Sequence, residues 1–550
     1  MKMKNQMASK KNKSNTLLIG GLTSTAGMII TKAIGLLYVA PFRAMIGAEN
    51  YIYYAAGYEV YDLILTISLA GLPFAIAAIV SKYMELEDYK TVMLLKKISH
   101  GLLGVFGFIG ASAVILFVNS IISTRGVISA DKAVIYRNVY LIMSLSIFTV
   151  PLLSSYRGFF QGIKDFKSYS ISQIVEQVSR VSFLLGLGGL SIYVFNSDKI
   201  YGVYIALIAT AISAISGILY LAIYKKSEIS KVADLASLQL EPAKEVAVLV
   251  KELFKFAIPY LFSVILANRF GFTNMFLLPT SLQSFGYSSE VTQIYTSLIT
   301  NEAVKLMSIP VVLATGFAVA IIPQMSQSLV RNDVRAIEKD VTLSVESVLY
   351  IGLPILCAMY LLSEEIYFML FGGSSEIVQM GGEVLKAHVV VGILGNLMPV
   401  INALTMTLNL RRQTIAVLLV SFLINFISFP LFISTFGWVG ALLTMMLTTG
   451  IVVFYSIFII RKRYKNSFKY TIRKLLFISI GLSAMTLSYY LLKSLGLSVI
   501  SLGRFKGLFT LAVYGLLMVL AYGVVTNVLY LPQSILNIDF KKAILKVVRK

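Results

Sequence analysis

Several charged side chains of this chain lie inside long apolar segments, where a charge is costly and usually has a task. Lys32 and Arg269 stand out because no acidic residue lies beside either of them in the sequence. Two such cations suit an anion with several oxygens. The alternatives are an ion pair with a neighbouring helix for Lys32 and a helix break that brings Arg269 to the membrane interface. We therefore take both as candidate ligand-binding residues.

Other charges of the apolar segments have potential partners nearby. Glu59 and Asp62 begin one segment. They contact Arg43, control access from the outer side, or are interfacial acids without a special role. Glu302 and Lys305 are one helical turn apart and can neutralise each other. All five residues are also candidates for contact with the substrate.

A third group of charges lies around the fourth and fifth apolar segments. Glu176 and Arg180 are four residues apart on one helix face, and this spacing predicts an ion pair with a structural or gating role. Arg157 is near the end of the preceding segment. It is a candidate for contact with the substrate at the inner side, or else it extends to the lipid headgroups. His388, close to Lys386, is expected to be packed rather than to relay protons.

These residues must be positioned by membrane-spanning helices. Of the 550 residues, 57% are hydrophobic and only 13% are charged, which is less charge than a soluble surface requires. A helix crosses a membrane with about 20 apolar residues, and the sequence contains about fourteen such runs. They lie near 16–46, 58–82, 98–122, 134–160, 168–195, 201–224, 253–278, 295–330, 341–371, 383–409, 414–434, 437–460, 471–492 and 504–527.

The Lys and Arg residues are concentrated in alternate loops. If the spans are counted as above, 35 of the 48 Lys and Arg residues fall in every second loop and in both tails, and 8 fall in the loops between. Cytoplasmic loops carry such an excess of positive charge. The pattern predicts a multi-pass protein of the cell membrane with both termini in the cytoplasm. The net charge of +22 then indicates anionic membrane lipids or an anionic cargo, and not nucleic acid, as partners.

The two halves of the chain resemble each other. Gly71–Asp88 aligns with Gly316–Asp333, and Gln161–Glu176 aligns with Asn409–Asn425. An even number of spans in each half makes such repeats parallel. We predict an all-α polytopic membrane protein with two six-helix bundles and an extra helix pair. Its parts are a first bundle at 1–225, a cytoplasmic linker with a short surface helix at 226–252, a second bundle at 253–462, the extra pair at 471–527 and a basic amphipathic tail at 532–550.

Several motifs resemble one known family. The first span contains TKAIGL from Thr31 to Leu36, followed by Ile46 to Ala48, which is similar to the opening of MurJ/MviN-type lipid II flippases. RGFFQG from Arg157 to Gly162, followed by Ser172 to Arg180, resembles the signature of the Gram-positive MurJ-like and polysaccharide-exporter branch. Pro310 to Asp333 resembles the eighth span of the same family. The resemblance covers most of the chain and implies the multidrug/oligosaccharidyl-lipid/polysaccharide (MOP) exporter superfamily.

The resemblance implies that the protein moves undecaprenyl-diphosphate-linked peptidoglycan precursor, lipid II, from the inner to the outer leaflet by alternating access. The family usually has Arg where this chain has Lys32, and often a second Arg where it has Tyr38. Lysine offers a phosphate a point charge without the bidentate fork of arginine. The alternatives are an exporter of another polyprenyl-linked glycan, a cation-coupled multidrug antiporter, and a membrane glycosyltransferase, for which the longest outer loop offers only Glu290.

Motifs for metal binding, nucleotide binding or catalysis are not recognisable in the sequence, which has a single cysteine, Cys357, and two histidines. We therefore expect a monomeric transporter that is not an enzyme and has no cofactor. A dependence on the membrane potential or on a monovalent ion stays open. The extra helix pair is expected to form a groove for a lipid tail, with Gly481, Gly496 and Gly507 leaving room for acyl chains.

Overall fold

The computed structural model describes residues 30–536 except 33, 70, 127–128, 312–313, 315–324, 326–327, 330, 332, 465–468 and 497–498, with the backbone alone at 67–69, 259–260, 469–470 and 505. All regular elements in the described residues are helices. Eleven of these helices are long and apolar enough to cross a membrane. The predicted all-α polytopic fold is confirmed. The chain divides into two compact units, Met1–Thr300 and Asn301–Lys550.

The helices of the first unit are numbered in chain order. They are α1 Val39–Leu69, α2 Leu72–Glu85, α3 Tyr89–Ser123, α4 Ala130–Gly162, α5 Phe166–Gly189, α6 Lys199–Leu219, α7 Lys226–Leu238, α8 Val246–Ala267, α9 Arg269–Phe276, α10 Leu278–Phe285 and α11 Ser289–Ser297. Helix α4 is central and packs against α1, α2, α3 and α6. The hairpins α3–α4 and α5–α6 form the largest interfaces of this unit.

Two glycines interrupt the helices around the predicted first and second spans. Helix α1 connects the end of the first span with most of the second, but Gly47, between the two spans, has φ 84° and ψ 163°, a conformation that favours glycine, so the helix is kinked there. Gly71 has φ 84° and precedes α2, and Pro73 lies in the first turn of that helix. The predicted second span, 58–82, therefore consists of the end of α1 and all of α2.

Aspartate caps keep the predicted cytoplasmic loops short. The carboxylate of Asp88 accepts a hydrogen bond from the backbone N–H of Thr91 at the start of α3, and Asp165 caps α5 in the same way. In the second unit, Asp333 accepts a hydrogen bond from the N–H of Ala336. Asp88 and Asp333 are equivalent in the predicted repeat, so the same turn chemistry occurs at both positions.

The second unit contains the predicted extra helix pair. Its described helices are α12 Val334–Leu361, α13 Ser363–Phe371, α14 Ser375–Gly395, α15 Met398–Thr407, α16 Arg411–Phe436, α17 Trp438–Tyr464, α18 Lys469–Ser494, α19 Gly503–Val528 and α20 Leu531–Leu536. The hairpins α16–α17 and α18–α19 form its largest interfaces. The extra pair is α18–α19, which shares a core with α12 that includes Tyr350, Met485 and Met518.

The glycines of the extra pair do not all leave room for acyl chains. A Cβ atom on Gly481 would lie 2.7 Å from Cγ2 of Thr526, and one on Gly507 would lie 2.6 Å from the carbonyl oxygen of Val499. These two glycines allow close packing, so the expectation of free space was wrong for them. Gly496 lies in the turn after α18 with φ 74°. The lipid groove itself stays a prediction.

Two predicted spans match none of the eleven candidate spans. The predicted seventh span, 253–278, is broken between α8 and α9, with Asn268 at the break. Part of the predicted eighth span, 295–330, lies outside the described residues, as does the predicted tail beyond residue 536. The predicted surface helix of the linker is α7. The proposed boundaries of the bundles stay a prediction, and the residues up to Thr300 belong to the first compact unit.

Candidate anion-binding site

Helices α4 and α5 bring three of the predicted site residues together. Nη2 of Arg157 donates to Oε2 of Glu176 at 2.8 Å, and Nη2 of Arg180 donates to Oε1 of Glu176 at 2.6 Å. The predicted pair of Glu176 and Arg180 is therefore present, and Arg157 joins it from the preceding helix. Nε of Arg157 also donates to Oγ of Ser172 at 3.0 Å.

The charge cluster Arg157–Glu176–Arg180 contains two arginines and one glutamate, so it has a net positive charge. Its side chains are 15%, 13% and 15% exposed, so the cluster is not sealed inside the bundle. Within the part of the chain that the structure describes, Nη1 of neither arginine makes a hydrogen bond. Guanidinium groups with unused donors bind carboxylates and phosphates well. The cluster can therefore accept an anion.

Tyrosines of α1 and of the segment before it surround Arg180. Tyr38, Tyr58 and Tyr61 are close enough to interact with it electrostatically. Tyr38 and Tyr54 share a hydrogen bond of 2.8 Å between their hydroxyl groups. The sequence analysis did not select the α1 tyrosines as site residues. The signal that could have found them is their helical spacing at positions 51, 54, 58 and 61.

A second buried ion pair lies near the opposite end of α4. Oε2 of Glu59 is 2.6 Å from Nη1 of Arg125, and the two side chains are 8% and 4% exposed. Pairing with Arg43 was one alternative of the sequence analysis, and the structure pairs Glu59 with Arg125. Nε of Arg125 donates to the hydroxyl of Tyr140 at 3.0 Å.

Arg125 lies in the turn after α3 and keeps its charge despite burial. Burial alone would lower the pKa of its guanidinium, but Glu59, Tyr140 and Tyr136 outweigh this effect and raise the pKa above its usual value. The pair lines a small pocket together with Thr292. Nη2 of Arg125 and Oγ1 of Thr292 make no hydrogen bond to any residue that the structure describes.

The other predicted cations of the first unit lie in different environments. Lys32 is exposed. Arg43 is 4% exposed, and its guanidinium carbon lies 5.0 Å from the ring centre of Tyr51. Arg269 follows the break after α8 and is 1% exposed, with its guanidinium carbon 4.3 Å from the ring centre of Phe270. The helix break foreseen for Arg269 is thus present, but the side chain is buried.

The remaining predicted residues are divided between the two units. Asp62, in the first, is exposed. In the second, Glu302 is 2% exposed and accepts a hydrogen bond from the hydroxyl of Tyr367, while Lys305 is half-buried. His388 is packed as expected, with 4% of its surface exposed. No group of three or more His, Cys, Asp or Glu residues in the described ranges could hold a metal ion.

One buried charge pair of the second unit was not predicted. Nζ of Lys474 donates to Oε2 of Glu346 at 2.6 Å, and the hydroxyl of Thr471 donates to Oε1 at 3.0 Å. Glu346 is on α12, and the other two residues are on α18. Lys474 also donates to the carbonyl oxygen of Ser534 on α20 at 3.3 Å. These bonds attach the extra helix pair to α12.

The fold is that of the MOP transporters. A multidrug resistance MATE family transporter of the MOP superfamily, in its inward-facing conformation, matches 81% of this chain and 99% of its own with a TM-score of 0.65 and 13% identity. Lipid II flippase MurJ, in an inward closed conformation, matches 92% of this chain and 99% of its own with a TM-score of 0.63 and 14% identity. At these identities the likeness concerns the fold alone.

The sequence comparisons define the family. Residues 17–329 match the model of the polysaccharide biosynthesis protein family, and the chain belongs to this family. It is also 27% identical over 467 residues to "Lipid II flippase MurJ" of Bacillus subtilis (strain 168), a match that covers 84% of this chain and 85% of that protein. The resemblance to MurJ-type proteins that the motifs indicated is confirmed.

Proposed function

We propose that this protein is a flippase that moves lipid II, an undecaprenyl-diphosphate-linked peptidoglycan precursor, from the inner to the outer leaflet by alternating access. One observation carries the proposal: the cluster Arg157–Glu176–Arg180, with its excess positive charge, lies within the membrane-spanning part of a chain similar to a lipid II flippase. Such a charge within a membrane bundle needs an anionic partner. The diphosphate supplies one.

The diphosphate contacts the guanidinium groups of both Arg157 and Arg180. Two parallel N–H···O bonds to phosphate oxygens combine charge with geometric specificity. Further cationic contacts come from Lys32, Arg43 and Arg269 at other stages of the transport cycle. The acidic residues Glu59, Asp62 and Glu302, and the neighbouring Lys305, act where the pathway opens and closes.

Both termini lie in the cytoplasm, and the protein acts as a monomer among anionic lipids without breaking bonds in its cargo. It requires no bound cofactor. The membrane potential, or a monovalent ion, drives the return of the empty carrier. One elementary charge that crosses about 100 mV corresponds to about 2.3 kcal/mol.

Two other functions share this fold. An exporter of another polyprenyl-linked glycan, such as a cortex, capsule or teichoic chain, would use the same diphosphate chemistry. A multidrug antiporter is favoured by the likeness to the MATE fold. The positive charge of the cluster argues against it, because an organic cation would be repelled.

The proposal is tested in proteoliposomes that contain the purified protein and fluorescent lipid II. We expect the wild-type protein to move lipid II across the bilayer and the double variant Arg157→Gln, Arg180→Gln to lose this activity. Lys97→Gln, which removes a cation from the loop end of α3, is the matched control and should keep it. Transport of ethidium without any movement of lipid II would contradict the proposal and favour the antiporter.

A further inference from the structure

We infer that Glu176 is a built-in competitor of the cargo: its carboxylate occupies the place between Arg157 and Arg180 that a diphosphate takes in the loaded state. The inference rests on the proposed function and extends it to the release of the cargo. It gives Glu176 a role other than that of a structural clamp.

The contacts of Glu176 are those of an anionic ligand. Each of its two oxygens accepts a hydrogen bond from a different arginine, at 2.8 Å from Arg157 and at 2.6 Å from Arg180. A phosphate group bridges two guanidinium groups in the same manner. The carboxylate therefore has the geometry of the ligand that it would compete with.

The two arginines are also held by groups other than Glu176. Nε of Arg157 donates to Oγ of Ser172 at 3.0 Å, and Nε of Arg180 approaches Oγ of Ser213 at 3.4 Å. These contacts use only the Nε donor of each guanidinium. If the carboxylate moves away, the guanidinium groups keep these contacts and present an open pair of donors.

The balance of charge explains why such a competitor would be useful. A diphosphate carries more negative charge than a carboxylate, so it displaces Glu176 when it is present. When the cargo leaves, Glu176 pairs again with Arg180, which is one turn further along α5. Two buried guanidinium groups are then never left without a counter-charge, which would be costly. Release of a tightly held diphosphate becomes faster as a result.

The test uses the purified full-length protein in lipid nanodiscs, with farnesyl diphosphate as the probe and farnesol as the uncharged reference. Glu176→Gln removes the competing charge, and we expect the diphosphate to bind about tenfold more tightly. The flipping rate for saturating lipid II should fall, since release is slower. Glu176→Asp keeps the charge, but its shorter side chain cannot reach both arginines, so its affinity should lie between those of Glu176→Gln and the wild type.

The matched control is Glu346→Gln, which breaks a buried carboxylate–lysine pair in the second unit. It should lower stability and leave the diphosphate affinity unchanged.

If Glu176→Gln or Glu176→Asp binds the diphosphate as weakly as Arg157→Gln does, Glu176 only positions the arginines. The inference is then wrong, while the proposed function stands. If the wild type binds farnesyl diphosphate no better than farnesol, the anion site itself is wrong. Should Glu176→Gln not fold, the aspartate variant decides alone: an affinity equal to the wild type's overturns the inference.

Discussion

Arg125 and Glu59 show that tertiary structure determines which partner a charged residue pairs with. Both are almost fully buried, and each neutralises the other across two helices. The sequence offered Arg43, which is closer in the chain, as one potential partner of Glu59. Packing brings a distant part of the chain close to Glu59, and a sequence pattern does not show which residues pack together. The same holds for the tyrosines around Arg180, which sequence reasoning did not select as site residues.

The pair Glu59–Arg125 predicts a double-mutant cycle with strong coupling. Arg125→Gln leaves the carboxylate of Glu59 buried without a counter-charge, and we expect the free energy of unfolding to fall by about 3–5 kcal/mol. Glu59→Gln should be similarly costly. The double variant should lose much less than the sum of the single losses, because no buried charge remains unpaired. The measurement is denaturant unfolding in detergent micelles.

The matched control for this cycle is Arg137→Gln. Arg137 is on α4 and is exposed, so its replacement should change the free energy of unfolding by less than about 0.5 kcal/mol. Strictly additive losses for Glu59→Gln and Arg125→Gln would mean that the two residues do not stabilise each other.

At the scale of the elements, the apolar runs predicted most helices but not their interruptions. Gly71 and Asn268 divide predicted spans, Gly47 kinks a helix between two of them, and nothing in the surrounding hydropathy marks these positions. Glycine occurs at many other positions in these helices without a break. Glycine adopts a positive φ readily, but the sequence does not show which of the glycines in these segments do so.

The linker is attached to the start of α3, and this contact predicts a dependence on Asp88. Nε2 of Gln239 donates to Oδ1 of Asp88 at 3.2 Å, and the backbone N–H of Lys90 donates to Oε1 of Gln239 at 3.0 Å. Asp88→Ala removes the helix cap and this contact. We expect a loss of about 1 kcal/mol in the free energy of unfolding, and faster hydrogen exchange in the linker.

The pH dependence of this contact follows from the pKa of Asp88. Burial alone would raise the pKa of the carboxyl, but Thr91, Gln239 and Lys244 outweigh it and lower the pKa below its usual value. The stabilisation is thus present above the unfolded pKa of about 3.9 and is lost as the pH falls through the lower folded value. Asp88→Asn, which keeps a capping oxygen, is the control and should lack this part of the pH dependence. An identical acid profile for wild type and Asp88→Asn would contradict the assignment.

At the scale of the whole molecule, charge and hydropathy predicted the fold class and a complete orientation. Sequence patterns did not determine which spans associate. Helices α8 to α11 belong to the first compact unit, although the repeat assigns residues from 253 onwards to the second bundle. Apolar helix faces are chemically alike, so only packing selects their neighbours.

The predicted orientation can be measured by cysteine labelling in intact cells, in a Cys357→Ala background. A membrane-impermeant maleimide should label Ser284→Cys and Glu290→Cys, which are exposed in the predicted outer loop. Lys231→Cys and Lys462→Cys are equally exposed but should react only after the membrane is permeabilised. Labelling of Lys462→Cys in intact cells would contradict the span count and the orientation together.

The pairing of Glu176 with Arg180 also bears on how the chain enters the bilayer during synthesis. A single ionised side chain near the centre of an inserting helix costs about 2.5–3.5 kcal/mol. Because the two residues are one turn apart, α5 reaches the insertion machinery as a nearly neutral helix. Arg157 arrives earlier, near the end of α4, and gains its counter-charge only when α5 follows. Replacing either member of the pair would therefore be expected to reduce the yield of inserted protein before any effect on transport could be seen.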